Sequence, residues 1–188
     1  MSYCEYIETM SPSDRRELHA TYHNHHYGFP LEDDNELFGR LILEINQAGL
    51  SWETILRKEV AFRHAYDQFD IAKVAAYGEE DINRLLGDAG IIRNRLKIHA
   101  AVSNAQTILQ IQKEFGSFNA WLNAHHPLAL AGWVKLFKKT FRFTGGEIVN
   151  EFLMSIGYLK GAHAETCPVY QQVLTCRPMW ARSEGLNH

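Results

Sequence analysis

At 188 residues and 46% hydrophobic, the chain is long enough to bury the core of one domain and too apolar for a disordered segment. No apolar run approaches the roughly 18 residues of a membrane span, residues 1–6 lack a secretory pattern, and three cysteines (Cys4, Cys167 and Cys176) do not complete a disulfide framework, so a reducing, cytoplasmic setting is expected. The net charge of −3 argues against a uniformly basic polyanion binder, yet residues 1–90 hold 8 Lys/Arg against 17 Asp/Glu, whereas residues 91–142 hold 8 against Glu114 alone, leaving a basic middle segment compatible with nucleic acid.

Helical periodicity dominates and no alternating strand pattern stands out, so the expected class is all-α. Asp33, Asp34 and Asn35 offer N-caps for a helix running to about Ala48, with Leu37, Leu41, Ile45 and Ala48 on one face and Gly49 as terminator. A second helix is expected over residues 52–66 and a third near Asp70 with Ile71, Val74 and Ala75. A fourth opens on the acidic turn Glu79-Glu80-Asp81 and breaks at Gly87-Asp88-Ala89-Gly90. A fifth should run over 93–113 with Leu96, Ala101, Ala105, Ile108 and Leu109 along one side. Trp121, Trp133 and Phe137 suggest helical segments around Pro127. A last helix is expected over 148–156, ended by Gly157. With no linker or repeat in view, residues 1–176 read as a single domain and 177–188 as a loose polar tail.

Three constellations can carry chemistry. Residues 85–97 read as helix, glycine turn, helix. Gly90 can free the backbone at the turn, so that backbone amides there and at Ile92 face a phosphate, with Arg93, Arg95 and Lys97 adding charge. The alternative is a solvated basic face. Glu44 lies three residues after Leu41 and four before Ala48, on the inward face of an otherwise apolar helix. A buried carboxylate must find partners, and Gln47 and Trp52 nearby suit a flat ligand. The alternative is a glutamate at the stripe's edge with its carboxylate in water. Finally, His163 and Cys167 stand four residues apart, a workable zinc pair. The other ligands would come from Cys4 and the run His23, His25, His26.

The run Leu-Glu-Ile-Asn-Gln-Ala-Gly-Leu-Ser-Trp-Glu-Thr-Ile-Leu over 43–56 resembles the signature of the 3-methyladenine DNA glycosylase I family, Glu-x-x-Gln-Ala-Gly-Leu-Ser-Trp. Phe69-Asp70, Val74-Ala75 and the hairpin Asp88-Ala89-Gly90-Ile91-Ile92-Arg93-Asn94-Arg95 match as well, and the similarity continues to Cys167. This resemblance implies an all-α helix-hairpin-helix glycosylase fold whose N- and C-terminal segments are joined by a structural zinc ion on Cys4, His23, His163 and Cys167. It implies a monofunctional enzyme, without a lysine Schiff base, that flips 3-methyladenine from double-stranded DNA and hydrolyses its glycosidic bond. Glu44 would be the catalytic carboxylate, Trp52 a stacking ring and Tyr22 a hydrogen-bonding phenol, with Tyr6 and Tyr27 beside the base. A monomer is expected.

Several positions depart from the family pattern. Its initial Cys-x-Trp is Cys4-Glu5-Tyr6 here. Its Tyr-His-Asp-x-Glu-Trp-Gly is Tyr22-His23-Asn24-His25-His26-Tyr27-Gly28. Glu147 replaces the usual hydroxyl residue near the start of the late helix. The rival readings are a catalytically weak relative that binds DNA lesions and a zinc-stabilised helical module without a DNA role.

Overall fold

The computed structural model describes residues 1–184, which contain helices and no strand. The described chain falls into two compact units, residues 32–149 and a unit made from residues 1–31 with 150 onward. No described helix is long and apolar enough to cross a membrane.

The unit of chain ends begins with α1 (Tyr3–Glu8) and α2 (Asp14–His25). Ser2 and Glu5 close a capping box over α1: Oε2 of Glu5 accepts from the Ser2 amide at 2.7 Å and the Ser2 hydroxyl accepts from the Glu5 amide at 3.2 Å. Ser13 caps α2, whose first turn carries Asp14 and Glu17 as the macrodipole prefers. The buried side of α2 is His19, Tyr22 and His23. It holds rings and imidazoles rather than aliphatic residues, so a search for apolar periodicity passes over it.

In residues 32–149, α3 (Asp34–Gln47) starts at the Asp33 cap, as expected, and buries Leu37, Phe38, Leu41, Ile42 and Ile45. Gly49 follows with φ +82°. Gly39 has a packing role: a Cβ there would strike the Phe69 ring. Next come α4 (Trp52–Ala65), a 3₁₀ turn at Asp67–Phe69, α5 (Ile71–Ala75), α6 (Glu79–Gly87), α7 (Arg95–Phe115), α8 (Phe118–His125) and α9 (Leu130–Thr140). The long α7 packs on α3, α5, α6 and α8. The Asp34 carboxylate accepts from the Phe118 and Asn119 amides at 2.8 and 3.0 Å and from Gln112 at 2.7 Å, which ties the start of α3 to α7 and to the amide-rich end of α8.

Helix α7 starts at Arg95 rather than Arg93, because Asn94 is its cap and accepts from the Lys97 amide at 3.1 Å. Leu96 is 71% exposed, not on the core side. The seam runs through Ile98, Ala101, Ala105 and Ile108, and Leu96 sits about 200° around the helix from Ile98 at 100° per residue.

The helix expected over 148–156 is α10 (Gly146–Ser155), with Gly157 at φ +80° beyond it. It is not the last. α11 (Pro168–Thr175) and α12 (Met179–Glu184) follow. The first eight residues of the expected tail are therefore ordered, and Trp180, 8% exposed, joins Cys4, Cys167, Val169, Tyr170 and Val173 in one apolar cluster. One tryptophan is enough to hold a short segment that otherwise reads as polar. Residues 185–188 of the expected tail lie outside the described residues.

Candidate metal centre and catalytic carboxylate

The unit of chain ends gathers Cys4 from α1, His23 from α2, His163 from the segment after α10 and Cys167 from the N-cap of α11. All four residues are buried, and their donor atoms lie within 4.8 Å of one another. Nε2 of His23 is 3.3 Å from Sγ of Cys4 and 3.8 Å from Sγ of Cys167, and Nδ1 of His163 is 3.8 and 3.9 Å from the same sulfurs. The two ring nitrogens are 3.1 Å apart. A tetrahedral ion with Zn–N and Zn–S bonds of 2.0–2.3 Å has ligand–ligand edges of about 3.3–3.8 Å, so the cluster has the right size.

The hydrogen bonds behind the ligands select the tautomers. Nε2 of His163 lies 2.7 Å from the Tyr27 carbonyl, and Nδ1 of His23 lies 2.7 Å from Oδ1 of Asn24. Each imidazole thus spends its proton outward and turns a lone pair inward. Two lone pairs 3.1 Å apart repel unless a cation lies between them. Asn24, where the family pattern has Asp, keeps the acceptor. Burial holds the His163 imidazole below its ordinary range, which favours the neutral form a metal binds. Burial likewise pushes the Cys4 thiol up, with the Cys167 sulfur beside it adding to the rise. The thiolates therefore need a positive charge to persist. His25 and His26, the other sequence candidates, are exposed.

Around this cluster the same unit carries a ring system. Tyr22 and Tyr27 are 6% and 7% exposed, with centroids 5.6 Å apart, and the Tyr27 hydroxyl donates to Glu151 at 3.1 Å. Tyr6 is half-buried and takes a hydrogen bond from Arg15 at 2.7 Å. The hub is Tyr3, which was not singled out from the sequence. Its ring meets Tyr6, His19, Tyr22, His23 and Tyr27, and its hydroxyl lies 2.8 Å from Nδ1 of buried His19. Burial raises the Tyr3 phenol far above its usual range, so the ring stays neutral. An aromatic beside a cysteine at a chain start gave no periodic signal.

In residues 32–149, Glu44 is 3% exposed in the last turns of α3, so the reading of a carboxylate in water is excluded. Trp52, half-buried, opens α4 behind the Ser51 cap. Asn46, which carries no signal in an apolar pattern, is 1% exposed: its amide donates to the Ile42 carbonyl at 2.8 Å, and its Oδ1 has no hydrogen-bond partner among the described residues.

The hairpin departs from expectation in two residues. Lys97, expected at the DNA backbone beside Arg93 and Arg95, is 5% exposed, and its ammonium donates to the carbonyls of Asn46 and Ala48 at 2.9 and 2.7 Å. It caps the carboxyl end of the helix that carries Glu44, where a cation belongs. Arg93 and Arg95 are exposed and Ile92 half-buried. Gly90 has no positive φ. A Cβ there would fit tightly, 3.0 Å from Oδ1 of Asp88 and 3.1 Å from the Ala61 methyl. The Gly90 amide is already taken by the Asp88 carboxylate at 2.7 Å.

The methyladenine glycosylase family model matches residues 13–129. The Escherichia coli K12 DNA-3-methyladenine glycosylase 1 is 36% identical, over 81% of this chain and 91% of that protein. A crystal structure of a tyrosine-to-phenylalanine variant of 3-methyladenine DNA glycosylase I in complex with 3-methyladenine is 32% identical, with a TM-score of 0.77 over 90% of this chain and 97% of that one. The Staphylococcus aureus 3-methyladenine DNA glycosylase I matches with a TM-score of 0.76 at 32% identity, over 89% of this chain and 95% of that one. With a family model over residues 13–129 and relatives of 33–36% identity matched along 91% of their length, the chain belongs to the methyladenine glycosylase family.

Proposed function

We propose that the protein removes 3-methyladenine from double-stranded DNA by flipping the base and hydrolysing its glycosidic bond. The observation that carries this reading is Glu44, a carboxylate 3% exposed on the buried face of α3, in a chain of this family. Methylation at N3 makes the base cationic, so its bond to C1′ is already weak. That bond breaks with its electron pair going to the base, which leaves neutral. The oxygen of water bonds to C1′, and the surplus proton passes to solvent. Glu44 accepts hydrogen bonds from the base edge and stabilises positive charge developing on the sugar. A tryptophan face favours a cationic over a neutral ring by about 0.5–2 kcal/mol, which suits Trp52 to stacking. The family pattern assigns Tyr22 to hydrogen bonding and Tyr6 and Tyr27 to flanking rings, and the exposed Arg93 and Arg95, with the turn at Ile92, suit the DNA backbone.

The ion that best fits two thiolates and two imidazoles is zinc, held by Cys4, His23, His163 and Cys167. With four protein ligands it would have no open position and so a structural role, tying α1 and α2 to the segment before α11. Residues 1–176 are taken as one functional domain, since the family match at 13–129 spans parts of both units. Incubation with methylated duplex and chromatography of the supernatant tests the activity. Free 3-methyladenine is expected. Duplex binding without base release would favour a lesion-binding relative instead.

A further inference from the structure

The four metal residues are buried, but they are not sealed. A cavity of about 820 Å³ within the unit of chain ends is walled by α1, α2 and α11 and reaches Cys4, His23 and Cys167. Asn24, whose Oδ1 fixes the His23 tautomer, lines it too. His163 does not, and its outward nitrogen meets the Tyr27 carbonyl instead. A divalent cation with six waters occupies about 200 Å³, at about 30 Å³ per water, so a hydrated ion has room beside three of the four donors.

The charge of the cavity suits such an ion. Glu8, Asp14 and Glu17 line it, and all three are exposed and in no ion pair among the described residues. Against these three carboxylates stands the guanidinium of Arg16. Asp14 and Glu17 also complement the dipole at the start of α2. Glu8 has no such reason: it is the last residue of α1, the end at which a carboxylate is disfavoured. Exposed carboxylates hold a divalent cation loosely and leave it most of its waters, whereas the sulfurs and imidazoles beyond them bind a softer ion tightly.

We propose that this cavity is the entrance through which a divalent cation reaches and leaves the four donors without unfolding of the chain, and that Glu8, Asp14 and Glu17 draw cations into it. The incoming ion first meets Cys4, His23 and Cys167, and His163, held at its other nitrogen by Tyr27, completes the set last. An ion in a sealed core would instead wait for the core to open. The proposal rests on the reading of these four residues as a zinc site, and its test requires no catalysis.

The measurement is replacement of zinc by cadmium in the zinc-loaded protein, followed by thiolate-to-cadmium absorption. Exposed Cys176 is changed to Ser throughout, so that only Cys4 and Cys167 report. The replacement rate should rise with cadmium concentration and exceed the rate of global unfolding, taken from guanidinium unfolding extrapolated to water. E8Q/D14N/E17Q should slow replacement about 10-fold at low ionic strength. The difference should close in about 1 M sodium nitrate, where the Debye length is about 3 Å. Ala20→Phe, at a position that lines the cavity, should slow replacement at every ionic strength. If the triple variant does not fold, Glu8→Gln alone decides, with a slowing of about 2-fold. Replacement at the unfolding rate, whatever the cadmium concentration, overturns the proposal and leaves the zinc reading standing, as do charge variants that exchange like wild type. A protein purified without stoichiometric zinc fails the zinc reading, and the proposal with it.

Discussion

The two units of this chain solve the same problem with different chemistry. Residues 32–149 bury aliphatic and aromatic seams, such as Leu37, Leu41 and Ile45 on α3 and Ile98, Ala105 and Ile108 on α7. The unit of chain ends buries an apolar cluster around Trp180, Phe152 and Leu153 of α10 and Ile156 just beyond it, and beside them it places histidine, tyrosine and cysteine. Hydrocarbon burial stabilises the first without further help. The second holds donor atoms that repel one another unless a cation joins them. The part of the molecule whose buried donor cluster could hold an ion is thus the part assembled from distant stretches of sequence.

The sharpest way to break that contrast is to remove the metal. Cys167→Ser should abolish stoichiometric zinc, as measured by atomic emission, and lower the melting temperature. An ion present at 1,000 times its Kd stabilises by about 4 kcal/mol. Amide exchange should accelerate in α1, α2 and α11 and stay slow in α3 and α7. Uniform acceleration would show that the units do not differ in this way. Acid should act in the same sense. Burial holds His163 below its ordinary value of about 6.5, so the unfolded chain takes up its proton first. The stability due to this histidine is complete above about pH 6.5 and is lost as pH falls.

Trp180→Ala tests the apolar half of the same unit. Removing a buried tryptophan costs about 3–5 kcal/mol, and Trp180 is toward the lower end because it is 8% exposed. A melting temperature equal to wild type would restore the reading of residues 177–184 as a loose tail. Lys97→Met probes the other unit on a smaller scale. It leaves the carbonyls of Asn46 and Ala48 without their shared donor, a loss of about 1–3 kcal/mol. Were Lys97 a backbone contact instead, stability would hold and the salt dependence of DNA binding would fall.

Legibility in the sequence followed the same division. The helices of residues 32–149 could be read from spacing because their buried faces are apolar, and Asp33 and Gly49 there, like Gly157 in the other unit, marked boundaries by cap chemistry. The inward placement of Glu44 followed from its phase relative to Leu41. α2 could not be read, since His19, Tyr22 and His23 count as polar or ambiguous in a hydrophobicity pattern. Lys97 was misassigned for a related reason: a lysine beside two arginines reads as surface, and only the bare carbonyls at the end of α3 show where its ammonium is needed. The metal residues illustrate both limits. His163 and Cys167 stand out as a local pair, whereas their partners lie 140 or more residues away in the chain; the residues alone offer Cys4 and the run His23, His25, His26, and the family resemblance chooses Cys4 and His23 among them.

The most direct test concerns the carboxylate. Single-turnover release of 3-methyladenine should be compared for wild type and Glu44→Gln, with melting temperature and zinc content confirmed equal. Loss of electrostatic stabilisation at the reacting sugar should slow release on the order of 10²-fold. Rates within a factor of about two, less than about 0.5 kcal/mol of barrier, would contradict a catalytic role for this buried glutamate.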